Sequence, residues 1–192
     1  MWMLGGSYYK GVKKLNCRRL EDFASLLAQW SRIHNLTAAG DLESIWANIE
    51  SSLYPTNFLL PFGTCIDVGS GAGFPALPLA CHYEDSFFYL LEPRKKRAAF
   101  LNHVICQLEL KNAKVIAEFS HKVRGIKANL LTSRAVCSGE SLLDKSRHLV
   151  HEDGKYLLFK GEKSLNESLT IKGYDAKVFS HKQCKYVYLS SA

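Results

Sequence analysis

The sequence has no apolar run near the roughly 20 residues that a membrane-spanning helix requires. Its opening, Met1-Trp2-Met3-Leu4-Gly5-Gly6-Ser7, lacks the basic segment followed by an apolar stretch that secretion requires. A soluble, cytoplasmic protein with no membrane partner is therefore expected. No Cys-x-x-Cys pair occurs, and the six cysteines Cys17, Cys65, Cys81, Cys106, Cys137 and Cys184 are widely scattered. That spacing argues against a disulfide framework or a zinc ribbon and suits small core residues. His148-x-x-His151 could join Cys137 or Cys184 around zinc, but no compact ligand pair accompanies it, so no metal is expected. Repeats and low-complexity tracts are missing, and a hydrophobic content of 47% is too high for a disordered chain. Acidic residues are in deficit, 18 against 25 Lys plus Arg, which leaves a net charge of +7 and favours an anionic partner. Residues 1–62 hold six basic and five acidic side chains, residues 63–192 nineteen and thirteen, so the anion should meet the second part.

A chain of 192 residues suits one domain with an appendage. Leu20, Phe23, Ala24, Leu27 and Trp30 recur at helical spacing after Leu15, and Leu42, Ile45, Trp46, Ile49 and Leu53 do so after Asp41, a candidate N-cap. Pro55 and Pro61 bracket a connector, which puts a boundary near residue 62. Thr64–Val68 and Phe87–Leu91 then read as buried parallel strands, and Pro93–Leu110 as a helix with Pro93 in its first turn. Lys114–Ile116, Ala128–Thr132 and Lys155–Phe159 supply further strands, with a helix over Ser141–Leu149. Asp175–Phe179 and Lys185–Leu189 read as an antiparallel hairpin. The fold class is α/β: a mainly parallel sheet with a C-terminal antiparallel hairpin and an N-terminal helical extension.

The sharpest local signal is Asp67-Val68-Gly69-Ser70-Gly71-Ala72-Gly73-Phe74-Pro75, between a strand and the helical Ala76–Ala80. A dinucleotide fingerprint would need glycine at 74, where Phe stands, so the helix-packing role of a third glycine is unfilled there. The spacing suits a single adenosyl group better than a pyrophosphate. Glu92, at the end of the second strand, can accept hydrogen bonds from both ribose hydroxyls of such a ligand.

Arg94-Lys95-Lys96-Arg97 opens the long helix, against the preference of the helix dipole for acids at that end. The cluster reads either as a phosphate or RNA contact or as a solvated face with Glu92 as an ion-pair partner. Arg134 and Lys160 follow strands and should point into the same crevice, with structural ion pairs as the alternative. His34, His82, His103, His121 and His181 have no nucleophile or orienting acid near them in sequence and receive no catalytic role.

From about Trp30 onward the chain resembles the bacterial small-subunit rRNA guanine-N7 methyltransferase family, RsmG or GidB. The resemblance rests on Asn35-Leu36-Thr37, Ile66 to Pro75 with Leu79-Ala80, Lys96-Arg97 with Phe100-Leu101, Ser133-Arg134-Ala135 and Lys160-Gly161. It implies a Rossmann-like class I methyltransferase domain over 63–192, which uses S-adenosyl-L-methionine to methylate N7 of a guanine in a loop of 16S rRNA. The implied partner is 16S rRNA or the small ribosomal subunit, and a monomer is the default state. The implied cofactor contacts are Asp67, Gly69, Ser70, Gly71, Gly73, Phe74, Glu92 and Arg134. Arg134 and Lys160 would act in catalysis, and Arg94, Lys95, Lys96 and Arg97 on RNA. Three places depart from the family's usual pattern: Asn48 to Leu53, where His-Ile-x-Asp-Ser-Leu is usual; Glu118-Phe119, where a basic residue is; and Ala128-Asn129, where Phe-Asp is. These departures keep open a methyltransferase-fold RNA-binding protein with little catalysis, and a methyltransferase acting on something other than RNA is a further alternative.

Overall fold

The computed structural model describes residues 14–34, 41–134, 138–161 and 171–192. Met1 to Ser7, Asn35-Leu36-Thr37, Ala135 and Cys137 lie outside them. The first apolar stripe winds into helix α1 (Lys14–His34) and buries Leu20, Phe23, Ala24 and Leu27. Helix α2 (Leu42–Leu53) begins where Asp41 caps it, its carboxylate accepting from the Ser44 amide at 2.8 Å and the Ser44 hydroxyl at 2.7 Å. Ile45, Ile49 and Leu53 face inward, and a short 3-10 turn, Tyr54–Asn57, leads into the connector.

The alternating body follows: β1 (Thr64–Val68), α3 (Ala76–His82), β2 (Phe87–Leu91), α4 (Lys95–Gln107), β3 (Ala113–Ile116), β4 (Ala128–Arg134), α5 (Gly139–Ser146), β5 (Val150–Lys160), β6 (Tyr174–His181) and β7 (Cys184–Ser191). The sheet order is β3-β2-β1-β4-β5-β7-β6. Strands β1 to β5 pair in parallel, whereas β7 runs antiparallel to both β5 and β6. The expected mainly parallel sheet with a C-terminal hairpin is therefore the fold. Its order reverses between β1 and β4, which opens a crevice at their carboxyl ends.

Successive side chains of a buried strand serve opposite faces. Cys65, Leu130 and Leu157 join a core with Phe23, Ile45, Leu77 and Phe100, while their neighbours Ile66, Leu131 and Leu158 join Leu142, Leu149 and Val187 on the other face. Helices α1 and α2 thus share one apolar core with the sheet.

Several boundaries differ from the sequence reading for local reasons. Pro93 precedes α4 rather than opening it, because the Arg94 amide donates to Glu92 Oε1 at 2.9 Å and keeps Arg94 extended as the N-cap. The helix ends at Gln107, and the backbone turns left-handed at Glu109. Strand β5 starts at Val150 instead of Lys155, its pairing with β4 shifting between Ala128 and Leu130. Gly154 permits this crowding, since a Cβ there would lie 2.3 Å from Val150 Cγ1 and 3.1 Å from the Ala128 carbonyl. Helix α5 stops at Ser146 and tightens into a 3-10 turn over Arg147–Leu149. Cys65 and Cys81 are core residues as expected, but Cys106 is exposed and Cys17 and Cys184 are half-buried. Among the described residues no helix is long and apolar enough to cross a membrane, and no three His, Cys, Asp or Glu side chains gather to hold a metal.

Candidate functional site

The glycine segment leaves β1 and crosses over the end of β2, with the Gly69 and Ser70 amides donating to the Leu91 carbonyl at 2.8 and 3.2 Å. Gly71 adopts a φ of +56°, and its amide donates to Glu92 Oε2 at 2.9 Å. Glu92 is 3% exposed, so its carboxylate must be hydrogen-bonded, and its two oxygens tie the glycine loop to the start of α4. Each oxygen still has a second lone pair for a ligand.

Gly73 explains the loop's tightness differently from the sequence reading. Its φ is +100°, and a Cβ there would lie 2.4 Å from Leu77 Cδ1, so this glycine packs the loop onto α3 and fills the role that position 74 lacks. Asp67 lies beneath the loop, 1% exposed, with Oδ1 accepting from Thr132 Oγ1 at 2.7 Å and Oδ2 without a partner. Burial pushes its carboxyl up to about 7, partly offset by hydrogen bonds from Ser70 and Thr132.

Above the loop is a cavity of about 740 Å³, large enough for a nucleoside-sized ligand. Gly69, Ser70, Gly71, Phe74, Glu92, Arg94, Arg97 and Arg134 line it, together with Asn48, Glu118, Phe119 and His121. Asp67 and Gly73 support the cavity from below and do not line it, and Lys95 and Lys96 are exposed on α4 outside it.

Arg134 closes β4 between the rings of Phe74 and Phe159, 5.9 and 5.7 Å from their centroids. Its Nη2 donates to Ser51 Oγ at 3.0 Å, while Nη1 is buried with no partner. No carboxylate of the described residues pairs with this guanidinium, and burial pushes its pKa down. A buried cation with an unused donor is a receptor for an anion.

A second cavity of about 580 Å³ opens on the other side of Arg134. Lys160 lies here and not in the first cavity, so the crevice that Arg134 and Lys160 share is the second one. Glu50 of α2 accepts from Lys182 Nζ at 2.6 Å and pairs with His181 Nε2 at 3.2 Å, and Tyr54 stacks on the His181 ring at 4.4 Å. Burial raises the Glu50 pKa, but these two partners outweigh it and hold the carboxyl below its ordinary value.

The sequence reading missed Ser51 as the partner of Arg134, Phe119 with His121 at the cavity mouth, and Glu50 beside His181. Ser51 and Ser52 are both buried, but only Ser52 falls on the stripe set by Ile45 and Ile49, so the spacing gave no signal for Ser51. The pairing of Glu50 with His181 had no signal either, because 131 residues separate them. Of the three departures, Asn129 is structural: its Oδ1 accepts from the Thr64 amide at 3.0 Å at the amino-terminal end of the central strands. Asn48 lines both cavities and Glu118 the first.

The family model for rRNA small subunit methyltransferase G matches residues 16–190. The ribosomal RNA small subunit methyltransferase G of Helicobacter pylori strain 26695 is 40% identical over 172 residues, 89% of this chain and 95% of that protein. The protein of the same name from Wolinella succinogenes is 41% identical over 170 residues, 88% of this chain and 87% of that one. Among solved structures, a SAM dependent methyltransferase from Aquifex aeolicus aligns with a TM-score of 0.64 at 17% identity, covering 90% of this chain and 98% of that one. M. jannaschii TYW2 in complex with AdoMet aligns with a TM-score of 0.57 at 19% identity, covering 75% and 74%.

Proposed function

The chain belongs to the rRNA small subunit methyltransferase G family, and from that premise we propose that it methylates N7 of a guanine in a loop of 16S rRNA. It is an S-adenosyl-L-methionine-dependent methyltransferase of small-subunit ribosomal RNA. The observation that carries the finer reading is Arg134, a charged side chain that borders both cavities and has one buried donor to spare.

The residues present fit the cofactor. Glu92 offers acceptors for ribose hydroxyls, Gly71 leaves the loop backbone open to close approach, and the orphaned Nη1 of Arg134 suits a carboxylate or a phosphate. Gly69, Ser70, Gly71 and Phe74 would wall the ligand, with Asp67 and Gly73 fixing the loop from beneath. When bound, the cofactor would supply an electrophilic methyl to the N7 lone pair, with the C–S electrons remaining on sulfur and the positive charge passing to the base, so that no proton need leave.

The chain's own contribution is therefore positioning and charge, which in well-aligned reactions supply roughly 7–11 kcal/mol of the barrier. An arginine suits this role because its guanidinium donates hydrogen bonds and cannot take a proton near neutrality. Arg134 would orient the guanine O6 or a phosphate without acting as a base. Lys160, in the second cavity, would orient the acceptor from the other side. Arg94 and Arg97, on the rim beside Glu92, would meet the RNA backbone, with Lys95 and Lys96 extending that basic face outside the cavity. Duplex RNA hides its major-groove edge, so a loop guanine is the accessible acceptor.

The test is to incubate the protein with methyl-labelled S-adenosyl-L-methionine and small subunits that lack N7-methylguanosine, then digest the RNA and identify the labelled nucleoside. Labelled N7-methylguanosine is expected. Label in another nucleoside, or none from a protein that binds the cofactor by calorimetry, refutes the N7 assignment.

A further inference from the structure

The second cavity has a chemistry of its own. Among the described residues, Arg134, Lys160 and Lys182 line it with one acid, Glu50, which is engaged by Lys182 and His181. The cationic side is held in place before any ligand arrives. Phe74 and Phe159 sandwich Arg134, and Tyr54 stacks on His181 beside Lys182. An ammonium carries three donors and Glu50 takes one from Lys182, whose side chain remains 60% exposed. Such a cavity suits an oxyanion better than a nucleobase, which would seek apolar faces to stack on, and here the face of Phe159 is covered by Arg134.

Its position identifies the anion. Arg134 and Asn48 border both cavities, so the second lies one side chain away from the cavity that fits the methyl donor. In a purine nucleotide with the base anti to its sugar, the N7 and C8 edge turns toward that nucleotide's own 5′-phosphate. A guanine presented N7 first carries its phosphate close beside the reacting edge. Resting on the guanine-N7 reading, we infer that the second cavity binds the 5′-phosphate of the acceptor nucleotide, with Lys160 and Lys182 as its cationic contacts and Arg134 bridging from phosphate to base. The hairpin turn between β6 and β7 thereby joins the basic start of α4 as part of the RNA-binding surface.

The experiment is calorimetric titration of the protein saturated with S-adenosylhomocysteine, using guanosine 5′-monophosphate, guanosine and inorganic phosphate as separate probes. The nucleotide is expected to bind about tenfold or more tightly than either fragment, as charge-assisted contacts to phosphate imply. In the double variant Lys160→Gln with Lys182→Gln, that preference should shrink to within about threefold, while affinity for S-adenosylhomocysteine stays the same. Equal binding of guanosine and its monophosphate by the wild type, or a preference that survives in the double variant, overturns the subsite. Inorganic phosphate binding as tightly as the nucleotide overturns the nucleotide assignment. Because these readouts involve no methyl transfer, a protein that shows the preference yet labels no guanine would sink the N7 reading alone.

Discussion

Replacing Glu92 with Gln should loosen both the cofactor site and the fold. The carboxylate accepts from the Gly71 and Arg94 amides at 2.9 Å each, and at 3% exposure losing either bond is costly. A glutamine keeps one acceptor and turns an NH₂ toward an amide that itself donates. One charge-assisted bond, worth about 1.5–3 kcal/mol, is lost, and a donor is left buried. If that cost falls on the ligand-bound loop, cofactor affinity drops about 10- to 100-fold, and if on the free protein, the melting temperature drops by roughly 5–10 °C. Calorimetric titration with S-adenosylhomocysteine, alongside thermal unfolding of the apo and loaded protein, separates the two. Affinity within about twofold of wild type, together with an unchanged melting temperature, would refute the argument that Glu92 organises the loop.

Gly73→Ala would place a methyl 2.4 Å from Leu77 at a φ of +100°, so overpacking and backbone strain should together cost about 2–4 kcal/mol, read as a lower melting temperature. Asp67 ionises near 7 in the fold against an ordinary 3.8, so the folded state binds its proton more tightly. Its contribution is complete below about pH 4 and is lost as pH rises through 7. Urea unfolding at pH 5 and pH 8 should show the wild type losing up to roughly 3 kcal/mol that Asp67→Asn does not lose, and parallel behaviour of the two proteins would count against this. Neutralising Arg94 and Arg97 to Gln should weaken binding to a single-stranded rRNA fragment and flatten its log–log salt slope by about 1.4, whereas an unchanged slope would remove these side chains from the RNA.

The parts of the fold that were legible in the sequence are those where local chemistry and global environment agree. Phe87–Leu91 is apolar throughout, and Thr64–Val68 is so apart from Thr64 and Asp67, because both faces of a central parallel strand are covered, and each matches its strand residue for residue. Asp41 was legible as a cap because the bond it makes reaches only three residues. The start of β5 was not, since His151, Glu152 and Asp153 are exposed and polar and only the bulge at Gly154 returns the chain to register. At the site, the glycine loop and Glu92 could be read because a strand end announces them. The division into two cavities could not, because α2 and the hairpin turn meet only through tertiary packing.

That packing also fixes an order of events. The second cavity is walled by contacts between Glu50 and residues 131 and 132 positions later, and Tyr186 Oη donates to the Ser51 carbonyl across 135 positions. Long loops close slowly, and a chain that emerges from its N-terminus cannot make these contacts until the last strands have been synthesised. The glycine loop and β2 can assemble much earlier from neighbouring segments. A nascent chain would thus acquire a shelf for the methyl donor well before it has a complete wall for the acceptor, and only finished molecules would grip their target.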